Sequence, residues 1–405
     1  MNRPSQRKSP ARRHTVFAAA LVVLAAHSAL AQTWQTVDDH QYLAGQPSVN
    51  FGLTVAPSGM LFASGYGFDA SGTSHGLVVS SADGGSTWSG DLDDFVYPGS
   101  TTRHDDGIVA DSAGNLYVAG RYYFSTGNFH QYVRRSADGG GTWVTVDDVA
   151  VGNSIVSPLG AGGITADAAG NVYVIERPVG AWTIRKGIGG TNFTTVDTFQ
   201  SSGSTAFGVF AHPTAGVFAA GYGQTVVKKN SSQAWIVRRS LDGGATWSTV
   251  DAYQASSGSA AEGCGIGADA NGNIYVVGRA VVPYRGSSIN HWIVRKTTNG
   301  GGSWSTVDDY ALFTSGNQVA LGFAADSNGN LFVAGWASAG TGTGPYYWIV
   351  RESLGGTGAW TTVDNFPYDS SAMAHAIAAD SSGNVFVGGQ GSPASGGVHW
   401  LVRKK

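Results

Sequence analysis

The sequence predicts an all-β chain folded as a seven-bladed β-propeller, with four antiparallel strands per blade and a ring closed by the N-terminal strand. Three observations predict it. A unit of about fifty-five residues recurs seven times. Sixty glycines and only three glutamates disfavour helices and favour short strands joined by tight turns. The last copy stops one strand short at Trp400-Leu401-Val402-Arg403, while an orphan fourth strand, Trp34-Gln35-Thr36-Val37-Asp38, stands before the first copy.

Each unit carries three signatures in fixed order. Asp-x-x-Gly-Asn followed by an apolar strand begins at Asp111, Asp167, Asp269, Asp326 and Asp380, with worn copies at Ala56 and His212. The Asp side chain accepts backbone N–H bonds at the turn, and Gly takes the positive φ that a β-carbon resists, so this is the hairpin between strands one and two. Ser-x-Asp-x-Gly-x-Thr-Trp follows the third strand at Ser81, Ser136 and Ser240, with variants at Thr297 and Ser353. Trp-x-Thr-Val-Asp heads the fourth strand at Trp34, Trp143, Trp247, Trp304 and Trp360. Eleven of the twelve tryptophans fall on two repeat positions, six heading fourth strands and five (Trp182, Trp235, Trp292, Trp348, Trp400) opening third strands. Their bulk is expected in the wedges between blades. Ring closure pairs the two leftover strands and hides both sheet edges.

Ahead of the repeats, Arg3, Arg7, Lys8, Arg12 and Arg13 precede an apolar stretch from Thr15 to Leu30 and the small-residue site Ala29-Leu30-Ala31. This order reads as a signal peptide over residues 1–31, cut after Ala31, leaving residues 32–405 as one propeller, secreted or periplasmic. No Phe follows the Arg pair at the twin-arginine spacing, which favours the general secretory route. No later stretch matches the about eighteen apolar residues of a spanning helix. Removing the leader takes the formal net charge from −3 to −8, 19 basic residues against 27 acidic. A mildly acidic chain without a basic run is not built for nucleic acid or an anionic membrane. Cys264 is the single cysteine, so no intrachain disulfide forms and burial must hold the domain.

The Ser-x-Asp-x-Gly-x-Thr-Trp hairpins resemble the Asp boxes, or BNR repeats, of sialidases and other propellers. The Asp-x-x-Gly-Asn strands are similar to the bacterial SBBP-type propeller repeat. Together these resemblances cover nearly all of the chain after the leader, and they imply fold more than activity. They imply that Asp83, Asp138 and Asp242 are structural, on the blade periphery. A sialidase would further need an arginine triad, a Tyr–Glu pair and an Asp acid. The Arg-Ile-Pro signature that goes with them is absent between Trp34 and Gly84, and only Glu176, Glu262 and Glu352 are available.

With both hairpin turns of each blade on one face, the opposite face carries the loops from strand two to three and from strand four to the next blade. Ligands sit where such loops converge. Residues that break the repeat there are the candidates. Before the first strand, blade two offers His104, Asp105 and Asp106, blade five Glu262 and Cys264, and blade seven His375. After the second strand come Tyr66, Arg121, Arg177, Tyr222, Arg279, Trp336 and Gln390, and Glu176 replaces a glycine kept by its sister copies. These side chains are expected to ring the mouth of the channel. Arg and carboxylates in one cavity bind sugar hydroxyls or uronate carboxylates, and a Trp stacks on a pyranose. Equally, they would neutralise one another as ion pairs.

Two readings follow. One is a non-catalytic propeller binding an extracellular glycan or protein through the loop face opposite the Asp-box hairpins. The alternative is a carbohydrate-active enzyme: a glycoside hydrolase using Asp105 or Asp106 with Glu262, or a polysaccharide lyase using His104 or His375 with a Tyr and an Arg. No cofactor and no metal site are expected, since neither His-x-x-x-His, Cys-His nor alternating-Asp spacing occurs. His75, His130, His291 and His399 open the third strand in four blades, too far apart in a ring to share a metal. Cys264 reads as a small buried hydrophobe, and the chain is taken as a monomer.

Overall fold

A computed structural model describes residues 33–152, 162–178, 180–199, 203–227, 230–284, 287–340 and 345–405. The leader reading of residues 1–31 lies outside them. One compact unit spans Trp34–Lys405. It holds seven four-stranded antiparallel sheets, and the single helical turn among the described residues is Leu354–Gly356.

Blade one comprises Ser48–Val55, Leu61–Phe68, Ser74–Ser81 and Asp93–Phe95, and blade two Thr101–Ala110, Leu116–Tyr123, Phe129–Ser136 and Val144–Gly152. Blade three is Ile164–Ala166, Val172–Glu176, Trp182–Ile188 and Thr191–Phe199; blade four is Thr205–His212, Gly216–Val227, Asn230–Ser240 and Ser248–Tyr253. Blade five is Ala261–Ala268, Ile274–Tyr284, Ser287–Thr297 and Ser305–Tyr310; blade six is Asn317–Ala325, Leu331–Ser338, Tyr346–Ser353 and Thr361–Phe366. Blade seven takes Ser371–Ala379, Val385–Ser392 and His399–Lys404 from late in the chain and Gln35–His40 from its start. The register of that closing pair runs from Gln35 opposite Lys404 to His40 opposite Trp400. The ring therefore closes as the leftover strands require.

The turns behave as their residues dictate. Asp111 Oδ1 accepts from the backbone N–H of Ala113 and Asn115 at 3.0 and 2.9 Å, and Gly114 has φ +85°. At the other hairpin Asp83 accepts from Thr87 N at 2.8 Å, Thr87 Oγ1 at 2.6 Å and Ser81 Oγ at 2.9 Å. These hydrogen bonds, chiefly from Thr87, hold its carboxyl down to about 2, as they do for Asp138 and Asp242 in the same turns. The carboxylates are committed to the backbone of their own hairpins.

Blades are joined by apolar wedges. Trp182, Trp235, Trp292, Trp348 and Trp400 are completely buried. A β-carbon on Gly65, Gly278, Gly335 or Gly389 of the following blade would come within 2.6, 2.8, 2.9 or 2.6 Å of the ring. Glycine is required there because the carbonyl of the paired first strand and the indole together occupy the space a side chain would need. The tryptophans that head the fourth strands are half-buried and pack on the outer edges of the same clusters, as Trp304 and Trp360 do.

A second, polar joint runs around the ring beside the indoles. The Asp of Trp-x-Thr-Val-Asp receives a two-pronged Arg from the third strand of the next blade. The pairs are Asp147–Arg185, Asp197–Arg238, Asp251–Arg295, Asp308–Arg351 and Asp364–Arg403, with Asp93–Arg134 between blades one and two, each 2.7–2.8 Å from Nε. A bulge just before the Asp, seen where Val237 faces Asp251 but Arg238 faces Thr249, turns the carboxylate outward to its partner. The seventh junction lacks this pair. Blade one has Val79 at the matching position of its register, and Asp38 instead bonds His40 Nδ1 at 3.0 Å.

Candidate functional site

The innermost strands line the channel with Leu53, Ile108, Ile164, Val209, Ile266, Phe323 and Ile377 at matching places, and with Thr54, Thr165 and glycine backbone among other residues. They enclose about 320 Å³. Among the described residues His375 is the one titratable side chain on that wall. It stacks on Phe51 at 4.5 Å, and neither ring nitrogen has a hydrogen-bond partner among the described residues. Burial pulls its pKa down to about 4. Among the described residues the wall carries no ion pair, and Arg121, Arg177, Arg279, Asp105, Asp106 and Glu262 stand back from it.

The candidates also lie inside strands rather than beyond their ends, because the second strands continue toward the loop face. Tyr66, Arg121, Tyr222, Arg279, Trp336 and Gln390 occupy equivalent positions, opposite Val49, Arg103, Thr205, Glu262, Val319 and Met373 of the first strands. Arg177 follows directly on Val172–Glu176. His104, Asp105 and Asp106 form a three-residue bulge inside Thr101–Ala110. Cys264 and His375 are single-residue bulges at the corresponding place.

Blades one and two lack the wedge tryptophan, having Gly76 and Gln131 in its place, and the anomalous residues fill the gap. The His104 ring sits where a β-carbon on Gly76 would be, with three of its atoms 2.9 Å from that point. It is wholly buried, with Nε2 on Asp93 at 3.1 Å and Nδ1 on the Tyr132 hydroxyl at 2.8 Å. Both nitrogens are engaged, so His104 reaches no ligand on the loop face. At the next junction Gln131 Nε2 donates to Asp106 Oδ2 at 3.1 Å and to the Ile175 carbonyl, and Gln131 Oε1 accepts from Arg177 N at 3.2 Å. Arg177 is 1 % exposed. Its Nη1 bonds Asp106, and it reaches the carbonyls of Ala206 and Phe207 at 3.4 Å. Burial pulls its guanidinium down to about 10, against the upward push of Asp105. Glu176 takes the glycine position opposite Gln131 and faces Arg185 Nε at 3.2 Å. Burial raises its pKa, opposed by Arg185 and reinforced by Asp147.

Asp105 is paired with Arg121 at 2.9 Å, and Arg103 lies over the Tyr66 ring at 4.4 Å. Tyr222 receives the Thr205 hydroxyl at 3.2 Å. In blade five Glu262 meets Arg279 Nε at 2.6 Å. This pair borders a pocket of about 310 Å³ shared with Gln233, Asn290 and Asn317. Trp336 is half-buried, packed on Cys264, Val319 and Leu321 with Tyr346 edge-on at 5.1 Å. Cys264 is buried and its thiol is pushed well up by burial, the profile of an inert side chain.

The four third-strand histidines each meet an Asp of the fourth strand in their own blade: His75–Asp94, His130–Asp148, His291–Asp309 and His399–Asp39, at 2.5, 2.8, 2.5 and 2.6 Å. Blades three, four and six have Ala181, Ala234 and Tyr347 there, and Thr198, Ala252 and Asn365 opposite. The two positions change together through the repeats. Sequence reading found the histidines and missed their partners, although the second Asp of Val-Asp-Asp marks three of them. Among the described residues no three His, Cys, Asp or Glu side chains gather as a metal site, and no helix is long and apolar enough to cross a membrane.

No family model matches the chain, and no curated protein sequence does. Solved structures do match. A protein of unknown function from Dyadobacter fermentans aligns at 11 % identity over 92 % of this chain and 98 % of its own, with TM-score 0.55. An ulvan lyase of polysaccharide lyase family PL25 aligns at 10 % identity over 89 % and 97 %, TM-score 0.55. The GH93 α-L-arabinofuranosidase of Fusarium graminearum, in complex with arabinobiose, aligns at 13 % over 91 % and 97 %, TM-score 0.52. At these identities the likeness is one of fold, and it agrees with the propeller built above.

Proposed function

We propose that this protein is an exported, non-catalytic propeller that binds glycan through its loop face, with residues 1–31 as its leader. One observation carries the reading. Each carboxylate put forward as an acid, base or nucleophile is already held by a guanidinium: Asp105 by Arg121, Asp106 by Arg177 and Glu262 by Arg279. A glycosidase needs two carboxylates free to protonate and attack at a separation of about 5–10 Å. Here the candidates sit in blades two and five, two of them at most 1 % exposed. The lyase pairing fares no better, because His104 and its Tyr132 are sealed between blades, and His375 is buried against Phe51 with no Tyr or Arg bonded to its ring among the described residues. What remains open is a polar pocket in blade five and a half-buried Trp336 in blade six, the chemistry of sugar hydroxyls and a pyranose face. Two structural neighbours are described as acting on, or holding, saccharides, which supports the choice of glycan over protein.

The test is a glycan array followed by reducing-sugar release and unsaturated-uronate absorbance on every hit. Binding without product, lost in a folded Trp336→Ala variant, is the expected result. Release of new reducing ends would overturn the non-catalytic reading, and unchanged binding by Trp336→Ala would remove this face.

A further inference from the structure

We infer that the pocket at the loop end of blade five takes a carboxylate-bearing sugar, a hexuronate residue within a glycan, with Arg279 as the group that grips its carboxylate. The inference rests on the glycan-binding reading and narrows it to one pocket and one chemical class.

Arg279 differs from the other guanidiniums of the loop face. Arg121 and Arg177 are buried, whereas the Arg279 side chain is 28 % exposed and borders the cavity. Glu262 holds it through Nε, and its terminal amino groups have no partner among the described residues. Guanidinium N–H groups in a fixed plane match a carboxylate in both geometry and charge. Glu262 is 4 % exposed and has both oxygens committed, one at Arg279 and one accepting from Gln233 Nε2 at 3.1 Å. It is a positioning residue: the ion pair holds the guanidinium at the pocket wall and leaves its outer edge to a ligand.

The rest of the wall suits a polyol. Asn290 Nδ2 donates to Asn317 Oδ1 at 2.5 Å, which leaves Asn290 Oδ1 as an acceptor and Asn317 Nδ2 as a donor. Gln233 keeps its Oε1. Ala260, Ala261 and Val281 complete the lining with apolar surface. Donors and acceptors together, beside a short apolar stretch and one exposed cation, fit a sugar ring with ionised carboxylate better than an inorganic anion, which offers acceptors only. A cavity of about 310 Å³ lies at the lower end of small-ligand pockets.

The experiment is calorimetric titration of the protein with tetragalacturonate and tetramannuronate. Methyl-esterified tetragalacturonate serves as the same sugar without charge, and a sulfated carrageenan tetramer as the other anion. The expected result is binding of at least one uronate tetramer, weakened about tenfold or more by esterification and by Arg279→Gln. Asn317→Ala, which touches neither Arg279 nor Glu262, should weaken it less and keep the parent melting temperature, whereas Arg279→Gln leaves buried Glu262 unpaired and should melt lower, so binding is compared at a temperature where circular dichroism shows both variants folded. Equal binding of acid and ester, or full binding by Arg279→Gln, would overturn the inference while leaving a neutral-glycan reading intact. Preference for the carrageenan tetramer would overturn the carboxylate assignment. Failure of every oligosaccharide, neutral or charged, would bring down this inference and the proposed function together.

Discussion

At the junction of blades five and six the Trp292 indole is wholly buried against Gly335; at the junction of blades two and three the same slot holds Gln131, and the opposing glycine is Glu176. Both junctions keep the Arg–Asp joint beside the slot, Asp308–Arg351 in one and Asp147–Arg185 in the other. The difference lies in what fills the wedge. Indole on glycine stabilises by burial alone, without direction. Gln131, Asp106 and Arg177 must find hydrogen bonds in an enclosed space, and they do. Buried ion pairs are poor evidence for stability, since two charges lose their water to form them. The wedge slots of blades one and two thus hold groups that packing would not select, and those of blades three to seven hold an indole.

Trp292→Ala should be among the most damaging substitutions, costing about 3–5 kcal/mol. Gln131→Ala in the matching slot should cost about 1–3 kcal/mol, from polar groups left unsatisfied rather than from lost volume. Urea midpoints measure both, and equal losses would erase the contrast between the slots. Arg177→Met should also cost about 3–5 kcal/mol, because it strands the Asp106 charge, whereas adding Asp106→Leu should recover most of that loss. A double variant as unstable as the single would mean that the pair is needed for the fold itself.

Protonation sharpens the comparison further. The folded pKa of His375, about 4, lies below the ordinary value of 6.5. Its contribution is full above pH 6.5 and is lost as pH falls toward 4, by about 3 kcal/mol. His375→Phe should flatten that slope in denaturant titrations across the range. His40, at the closing junction, has the opposite sign. Burial lowers its pKa, but the hydrogen bond and charge of Asp38, with Asp91 and Asp39, outweigh this and raise it overall. Its contribution is full below pH 6.5 and disappears as pH rises through the raised value. The effect is the smallest here, and His40→Gln should remove it.

Blades, turns and closure were legible because each signature is complete within one repeat: Asp111 bonds Ala113 and Asn115, and Thr36 and Val37 announce the strand that pairs with Arg403 and Val402. The Arg–Asp joints were not, because their partners stand 38–44 residues apart and belong to different repeats. Their signal was present, an Arg three residues after each third-strand Trp and an Asp four after each fourth-strand Trp except Trp88, where it is five. The site was harder still. His104, Asp106 and Glu176 break the repeat, but two of the causes lie one blade upstream, where the Trp column is interrupted at Gly76 and Gln131. A departure from a repeat can answer a neighbour's missing bulk as readily as a ligand.

Thr36 and Arg403, whose side chains touch across the closing sheet, are 367 residues apart in the chain. A growing polypeptide therefore presents Gln35–His40 early and must hold that unsatisfied edge until every other blade has emerged. Such long-range pairing is slow to form and open to mispairing meanwhile. Chaperones that hold unpaired strands would find a natural target on this waiting edge, and a purification tag placed ahead of Trp34 would load the junction that, among the described residues, has no Arg–Asp joint.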